Sequence, residues 1–127
     1  MTETYSYKGS ILNIEKIADE LRRFASDRDW DQFHTPKNLA TSISVESAEL
    51  LELFQWTRGQ ESWNEINEEK LKEKIENEIA DIFLYLVRFS DLANIDLEKS
   101  ALRKIALNAK KYPIEKSKGS DRKYTEL

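Results

Sequence analysis

Between Ser42 and Leu86 two helical stretches each carry a pair of carboxylates three residues apart, Glu46 with Glu49 and Glu78 with Asp81, and both pairs interrupt an apolar stripe. At about 100° per residue, Leu39, Ile43, Leu50, Leu53 and Phe54 share one arc, with Glu46 inside it and Glu49 at its edge. Leu71, Ile75, Ile82, Leu86 and Phe89 make the second stripe, with Glu78 inside it and Asp81 at its border. Acids placed this way face inward, and a buried carboxylate costs several kcal/mol unless something pairs with it. Partners are scarce: no Lys or Arg lies between Asn38 and Arg58, and Glu78 has only Lys74 one turn away. If the two helices face each other, the acids converge, and each like-charged pair at about 4 Å repels by roughly 4 kcal/mol at an effective dielectric of about 20. A cation removes the conflict. All-oxygen ligation without Cys or a nearby His suits a hard ion, Mg²⁺ above all where a phosphate completes the octahedron. The bland alternative, that these acids are the wet edges of amphipathic helices, would hold for a single pair. Two pairs at matching phase favour the metal site. Glu52, a step further along, turns outward on the helical wheel.

The rest of the composition fits a helical frame for such a site. A chain of 127 residues suits one domain. Three Gly and two Pro among abundant Glu, Lys, Leu and Ala point to helix throughout. A net charge of −4 and a pI near 5.2 argue against nucleic acid as a partner. With no cysteine, neither a disulfide framework nor a thiolate metal site is available. The N-terminus carries no signal-peptide core and no stretch is a membrane span, so the expected location is cytoplasmic with no membrane partner.

The few helix breakers divide the chain. Asn13 is a plausible N-cap for a first helix with Ile14, Ile17, Ala18, Leu21, Phe24 and Ala25 at helical spacing, ending near Arg28. Asp29 to Thr35 is a loop, but one that carries Trp30, Phe33 and His34 where loops are usually small and polar. The two aromatics either plug the top of a bundle or meet a ligand; His34, the one histidine, excludes a two-histidine site. Thr35-Pro36 starts a second helix that the pattern carries to about Thr57, with Gly59 ending it. Gln60 to Asn67 connects to a third helix from about Glu69 to Ala93, with Trp63 expected to fold onto the core. So short a connection makes helices two and three antiparallel neighbours. Asp96 caps a fourth helix with Leu97, Ala101, Leu102, Ile105 and Ala109, which Pro113 stops. The expected architecture is all-α, antiparallel and four-helix-bundle-like, one domain over residues 1–127 with a loose arm at 1–10 and a C-terminal tail at 113–127. From Lys110 onward six basic residues face three acidic ones, which reads as a solvated tail or as a source of phosphate contacts. Lys104 and Asn108 stand one turn apart on the fourth helix and offer a cation and an amide together.

The motifs E46-S-A-E49 and E78-I-A-D81 resemble those of the all-α nucleoside triphosphate pyrophosphohydrolases, the MazG-like superfamily. R-D-W-D-Q-F-H-T-P-K-N-L around Trp30, E-L-F-Q-W ending at Trp56, D-I-F-L-Y-L around Tyr85, and K-Y-P with K-G-S-D-R-K-Y-T-E-L look like the dCTP pyrophosphatase branch. The likeness runs from Phe24 to Leu127 almost without a gap. It implies that Glu46, Glu49, Glu78 and Asp81 bind Mg²⁺ and carry the catalysis. Trp30, Asp31, Gln32, Phe33, His34, Trp56 and Tyr85 would line the nucleotide pocket, with Lys104, Asn108, Lys111 and Tyr112 as further substrate contacts. The implied reaction is attack of water on the α-phosphorus of a nucleoside triphosphate, giving the monophosphate and pyrophosphate. A pyrimidine deoxynucleotide such as dCTP is the implied substrate, in a homodimer or homotetramer. At one position the chain departs from the pattern: members with a cytosine preference carry a histidine on the first helix where this chain has Leu21, which leaves the preferred base open. Two readings compete. A di-iron carboxylate bundle needs Glu-x-x-His on two helices and is excluded. A non-catalytic nucleotide-binding or regulatory helical protein would bind without releasing pyrophosphate.

Overall fold

The computed structural model describes residues 11–57, 59 and 62–127; the expected arm at 1–10 lies outside them. The architecture is all-α, as the scarcity of breakers implies, and no strand occurs among the described residues. Two compact units follow one another, the first up to Ala93 and the second from Asn94 to Leu127.

In the first unit, α1 (Ile14–Asp27) begins where the Asn13 side chain accepts a hydrogen bond from the Lys16 N–H at 3.0 Å. It stops at Asp29, whose φ of 55° is the left-handed conformation that ends a helix. A 3-10 turn over Asp31–Phe33 leads to α2 (Pro36–Glu52), opened by Pro36 and by Thr35 Oγ1 accepting from the Asn38 N–H at 3.1 Å. A single helical turn, α3 (Ser62–Glu65), precedes α4 (Glu69–Leu92), which the Glu68 carboxylate caps by accepting from the N–H groups of Lys70 and Leu71. Asn94, again at φ 55°, turns the chain out of α4.

The centre of this unit is α4, which packs against both α2 and α1. Glu46 and Glu49 near the end of α2 meet Glu78 early in α4, whereas Asp31 and His34 just before α2 meet Arg88 late in α4. The contacts run in opposite senses along the two helices, so α2 and α4 are antiparallel as expected. Arg22 of α1 donates two hydrogen bonds to the Asp91 carboxylate, at 2.8 and 2.6 Å, and holds α1 to α4. The same guanidinium keeps the Asp91 carboxyl below the usual carboxylate range.

Four details differ from the expected pattern. First, α2 ends at Glu52 instead of running to Thr57. From Leu53 onward N–H groups bond three residues back, Phe54 to Leu51 at 2.9 Å and Thr57 to Phe54 at 3.1 Å. This tighter winding satisfies the last carbonyls of the helix before Gly59 is reached. Second, Trp63 is 78% exposed, not folded onto the core, because it stands on a helix of one turn with no buried face. Third, Leu86 is exposed while Val87 and Arg88 are buried. With helices on two sides, the covered arc of α4 is displaced from the single stripe that its periodicity marks. Fourth, Phe24 is exposed rather than packed in the core stripe of α1.

The second unit contains α5 (Leu97–Lys111), started by Asp96 accepting from the Lys99 N–H at 3.0 Å, and a helical turn α6 (Ile114–Ser117) after Pro113. Most of the basic tail is exposed. Tyr124 nevertheless comes back to the end of α5, its ring edge-on to Tyr112 at 6.0 Å with Lys111 Nζ 5.1 Å from its centre.

Candidate active site

Two inward acids from α2 and α4 give the site its chemistry. Carboxylate oxygens of Glu46, Glu49 and Glu78 lie within 4.8 Å of one another. Glu46 and Glu78 are half-buried, and each leaves its Oε2 buried with no hydrogen-bond partner. Unpaired buried carboxylate oxygens are costly, so the cluster fits a divalent cation, which would supply the missing partner to both. Asp81 stands one turn after Glu78, exposed and outside this tight group, and its charge still acts on Glu46. Glu52 is exposed at the end of α2.

Burial, hydrogen bonding to Glu49 and Glu78, and the charges of Glu49 and Asp81 push the Glu46 carboxyl up from 4.5 to about 7. The folded protein therefore holds this proton more tightly than the unfolded chain. For the cation-free protein, that contribution to stability is fully present below about pH 4.5 and is lost as pH rises through about 7. The melting temperature of the wild type relative to Glu46→Gln should fall across this window, and saturating Mg²⁺ should reverse the fall. A divalent cation that took Glu46 as a ligand would displace the proton, so its affinity should increase through the same window, with proton release visible by calorimetry in buffers of different ionisation enthalpy. A flat difference between wild type and variant would show that Glu46 is not strained by its neighbours.

Asp81 also borders a cavity of about 540 Å³ lined by Ile17, Glu20, Leu21, Phe24, Trp30, His34, Leu84, Tyr85 and Arg88. That volume lies in the range of small-molecule sites, about 300–1,000 Å³. Its aromatic wall is organised by the turn after α1. Trp30 stands edge-on to Phe24 with ring centres 5.6 Å apart, and the Arg28 guanidinium covers the Phe24 ring at 3.7 Å. Phe24 thus serves the cavity, which accounts for its exposure. A smaller cavity of about 300 Å³ continues past Trp30, Phe33 and His34 to Asn38, Ser42 and Tyr85.

The loop that carries these aromatics is tied down at several points. Gln32 turns back, its Nε2 donating to the Asp29 carbonyl and carboxylate at 3.1 Å each. Asn38 Nδ2 donates to the Phe33 carbonyl at 2.9 Å. The strongest tie is Arg88 of α4, only 4% exposed, which donates from Nε to His34 Nδ1 at 3.0 Å and from Nη2 to the Asp31 carboxylate at 2.5 Å. Burial first, and then the Arg88 charge, lower the pKa of His34, against a smaller opposing effect of Asp31.

Of the residues expected in the site, the first unit gathers Glu46, Glu49 and Glu78 in one group and Trp30, His34, Asp81 and Tyr85 around the larger cavity, with Phe33 on the smaller one. Asp31 and Gln32 brace the loop through their hydrogen bonds. Trp56 is 90% exposed and lines neither cavity. Lys104, Asn108, Lys111 and Tyr112 belong to the second unit, the first two exposed on one side of α5 and the last two beside Tyr124. Sequence reasoning missed Phe24, Asn38 and Arg88. For Arg88 the signal was there: a cation set between Val87 and Phe89 in the apolar run of α4.

Comparison with known proteins points the same way. A family model described as the MazG-like family matches residues 41–127. The chain is 36% identical to dCTP pyrophosphatase 1 of Rattus norvegicus over 117 residues, 89% of this chain and 69% of that protein. It is 37% identical to the human dCTP pyrophosphatase 1 over 121 residues, again 89% of this chain and 69% of the relative. Among solved structures, a pyrophosphatase from Archaeoglobus fulgidus shares the fold with a TM-score of 0.73 and 41% identity, over 89% of this chain and 99% of that one.

Proposed function

This chain belongs to the MazG-like family, and from that premise we propose that it is a nucleoside triphosphate pyrophosphohydrolase converting dCTP and water to dCMP and pyrophosphate. The observation that carries the reading is the juxtaposition of two chemistries on α4. Unpartnered oxygens of Glu46 and Glu78 form an anionic group, and Asp81, one turn on, opens onto an aromatic cavity of nucleoside size. Relatives that carry the name dCTP pyrophosphatase 1 support the choice of base.

In this reading Trp30 and Tyr85 flank the base, a contact that contributes roughly 1–3 kcal/mol per stacked aromatic. Glu46, Glu49, Glu78 and Asp81 are the proposed Mg²⁺ ligands. The cation, when bound, would compensate the charge of the triphosphate and make a water more acidic. It would also give the buried oxygens of Glu46 and Glu78 the partner that they lack. Lys104, Asn108, Lys111, Tyr112 and the exposed Trp56 are retained as proposed substrate contacts on the strength of the motif resemblance. Large apolar side chains left exposed, Leu51, Ile79, Leu102 and Ile105 among them, support self-association as a homodimer or homotetramer. No helix among the described residues is long and apolar enough to cross a membrane, and the proposed location is the cytoplasm.

A panel of ribo- and deoxynucleoside triphosphates incubated with Mg²⁺, with pyrophosphate and orthophosphate measured separately, tests the reaction class and the base together. Pyrophosphate release fastest with dCTP is expected. Binding without turnover would identify a nucleotide sensor instead.

A further inference from the structure

Arg88 is buried to 4% exposure, yet its guanidinium is spent on two loop residues, His34 and Asp31, far from it in sequence. A guanidinium nitrogen only donates. The 3.0 Å contact from Nε therefore makes His34 Nδ1 the unprotonated, accepting nitrogen of the ring. In the neutral imidazole the proton must then sit on Nε2. His34 borders both the larger and the smaller cavity, so what the ring has left for a ligand is an N–H donor. The second arm of Arg88 engages the Asp31 carboxylate, which balances the buried charge and fixes the fork that holds the ring.

We propose that Arg88 is a positioning residue for substrate selection: it locks His34 in the neutral Nε2–H form, so that the pocket offers one uncharged donor to a ring acceptor of the base, a carbonyl oxygen or an unprotonated ring nitrogen. This deepens the nucleotide reading above and rests on it. Apart from the proposed metal ligand Asp81, the polar side chains on the larger cavity include the carboxylate of Glu20, which only accepts when ionised. A base edge bearing an amine beside ring acceptors, the pattern of cytosine, meets both kinds of group. Lysine at position 88 would keep the charge but not the fork, and could not hold both partners in one plane.

Because His34 is the one histidine of the chain, its ring nitrogens are observed without ambiguity in a long-range ¹H–¹⁵N correlation spectrum of the labelled, full-length protein. At pH 8 the wild type should show an acceptor-type Nδ1 and a protonated Nε2. A protonated Nδ1, or averaging of the two tautomers, would overturn the proposal. Addition of the α,β-imido analogue of dCTP with Mg²⁺ should shift Nε2 and slow exchange of its proton. If calorimetry shows the analogue bound while the ring is unmoved, the recognition role fails and the nucleotide reading stands. If the analogue does not bind at all, the nucleotide reading fails and takes the recognition role with it. Arg88→Lys should give mixed tautomers and raise KM for dCTP on the order of 10-fold, with kcat changed less and Mg²⁺ affinity intact. A single tautomer and an unchanged KM in that variant would count against the lock. Should Arg88→Lys not fold, the paired variants His34→Gln and His34→Ala decide. Gln keeps a donor and should retain more affinity than Ala, and equal affinities would contradict the proposal.

Discussion

Glu46→Gln should remove hydrolysis and, above about pH 7, raise the melting temperature of the cation-free protein. The two effects have one cause. Glu46 lies inside the apolar arc of α2, with Oε2 buried and unpartnered and with Glu49, Glu78 and Asp81 acting on it. An amide of the same shape can donate a hydrogen bond to a neighbouring carboxylate, so repulsion becomes attraction without a change of volume. The same replacement deletes a charge from the proposed metal site, and its cost to activity should exceed the roughly 10–100-fold that loss of a group merely supporting a metal ligand produces. Glu78→Gln, which relieves the second orphaned oxygen, should behave likewise. Glu52→Gln, at an exposed position, should alter neither property. Thermal melts with and without Mg²⁺, alongside turnover of dCTP, check all three. Inactive variants that have also lost helicity by circular dichroism would mean that these acids hold the fold together rather than being strained by it.

The inward placing of Glu46 and Glu78 was legible in the sequence because a helix reports its own buried face, whereas Glu49 and Asp81, at the edges of the stripes, are exposed. Charges that break an apolar stripe at two matching phases have few explanations, and the arc containing Leu39, Ile43, Glu46 and Leu50 is the less exposed side of α2. Caps were legible for a similar reason: Asn13, Thr35 and Asp96 each serve N–H groups within three residues. What periodicity could not give is the consequence of packing on two sides. It marked Leu86 for the core where Val87 and Arg88 are buried, since α4 contacts both α1 and α2. Nor could local reasoning assign Arg88 a partner, because His34 and Asp31 lie 54 and 57 residues away along the chain. Phe24 illustrates the same limit in reverse. Its spacing fits the core stripe of α1, and only the return of Trp30 to its ring reveals it as a cavity wall. The end of α2 turned on a subtler point. Side-chain spacing continues in phase through Leu53 and Phe54, while the backbone has already tightened to bonds spanning three residues.

The point of attack on the triphosphate is the most direct consequence of this geometry. Gly9, Gly59 and Gly119 are isolated in the sequence, so no glycine-rich loop cradles a terminal phosphate for transfer. The anionic group and the aromatic cavity are joined by Asp81, one helical turn from Glu78. In the proposed site, a nucleotide with its base in that cavity would bring its first phosphate, not its last, to the acids. Hydrolysis of dCTP in ¹⁸O-labelled water with Mg²⁺, followed by mass spectrometry of both products, reads this position outright. The label should enter dCMP and be absent from pyrophosphate, whereas label in pyrophosphate, or labelled orthophosphate, would place the attack elsewhere and contradict the assignment of the site.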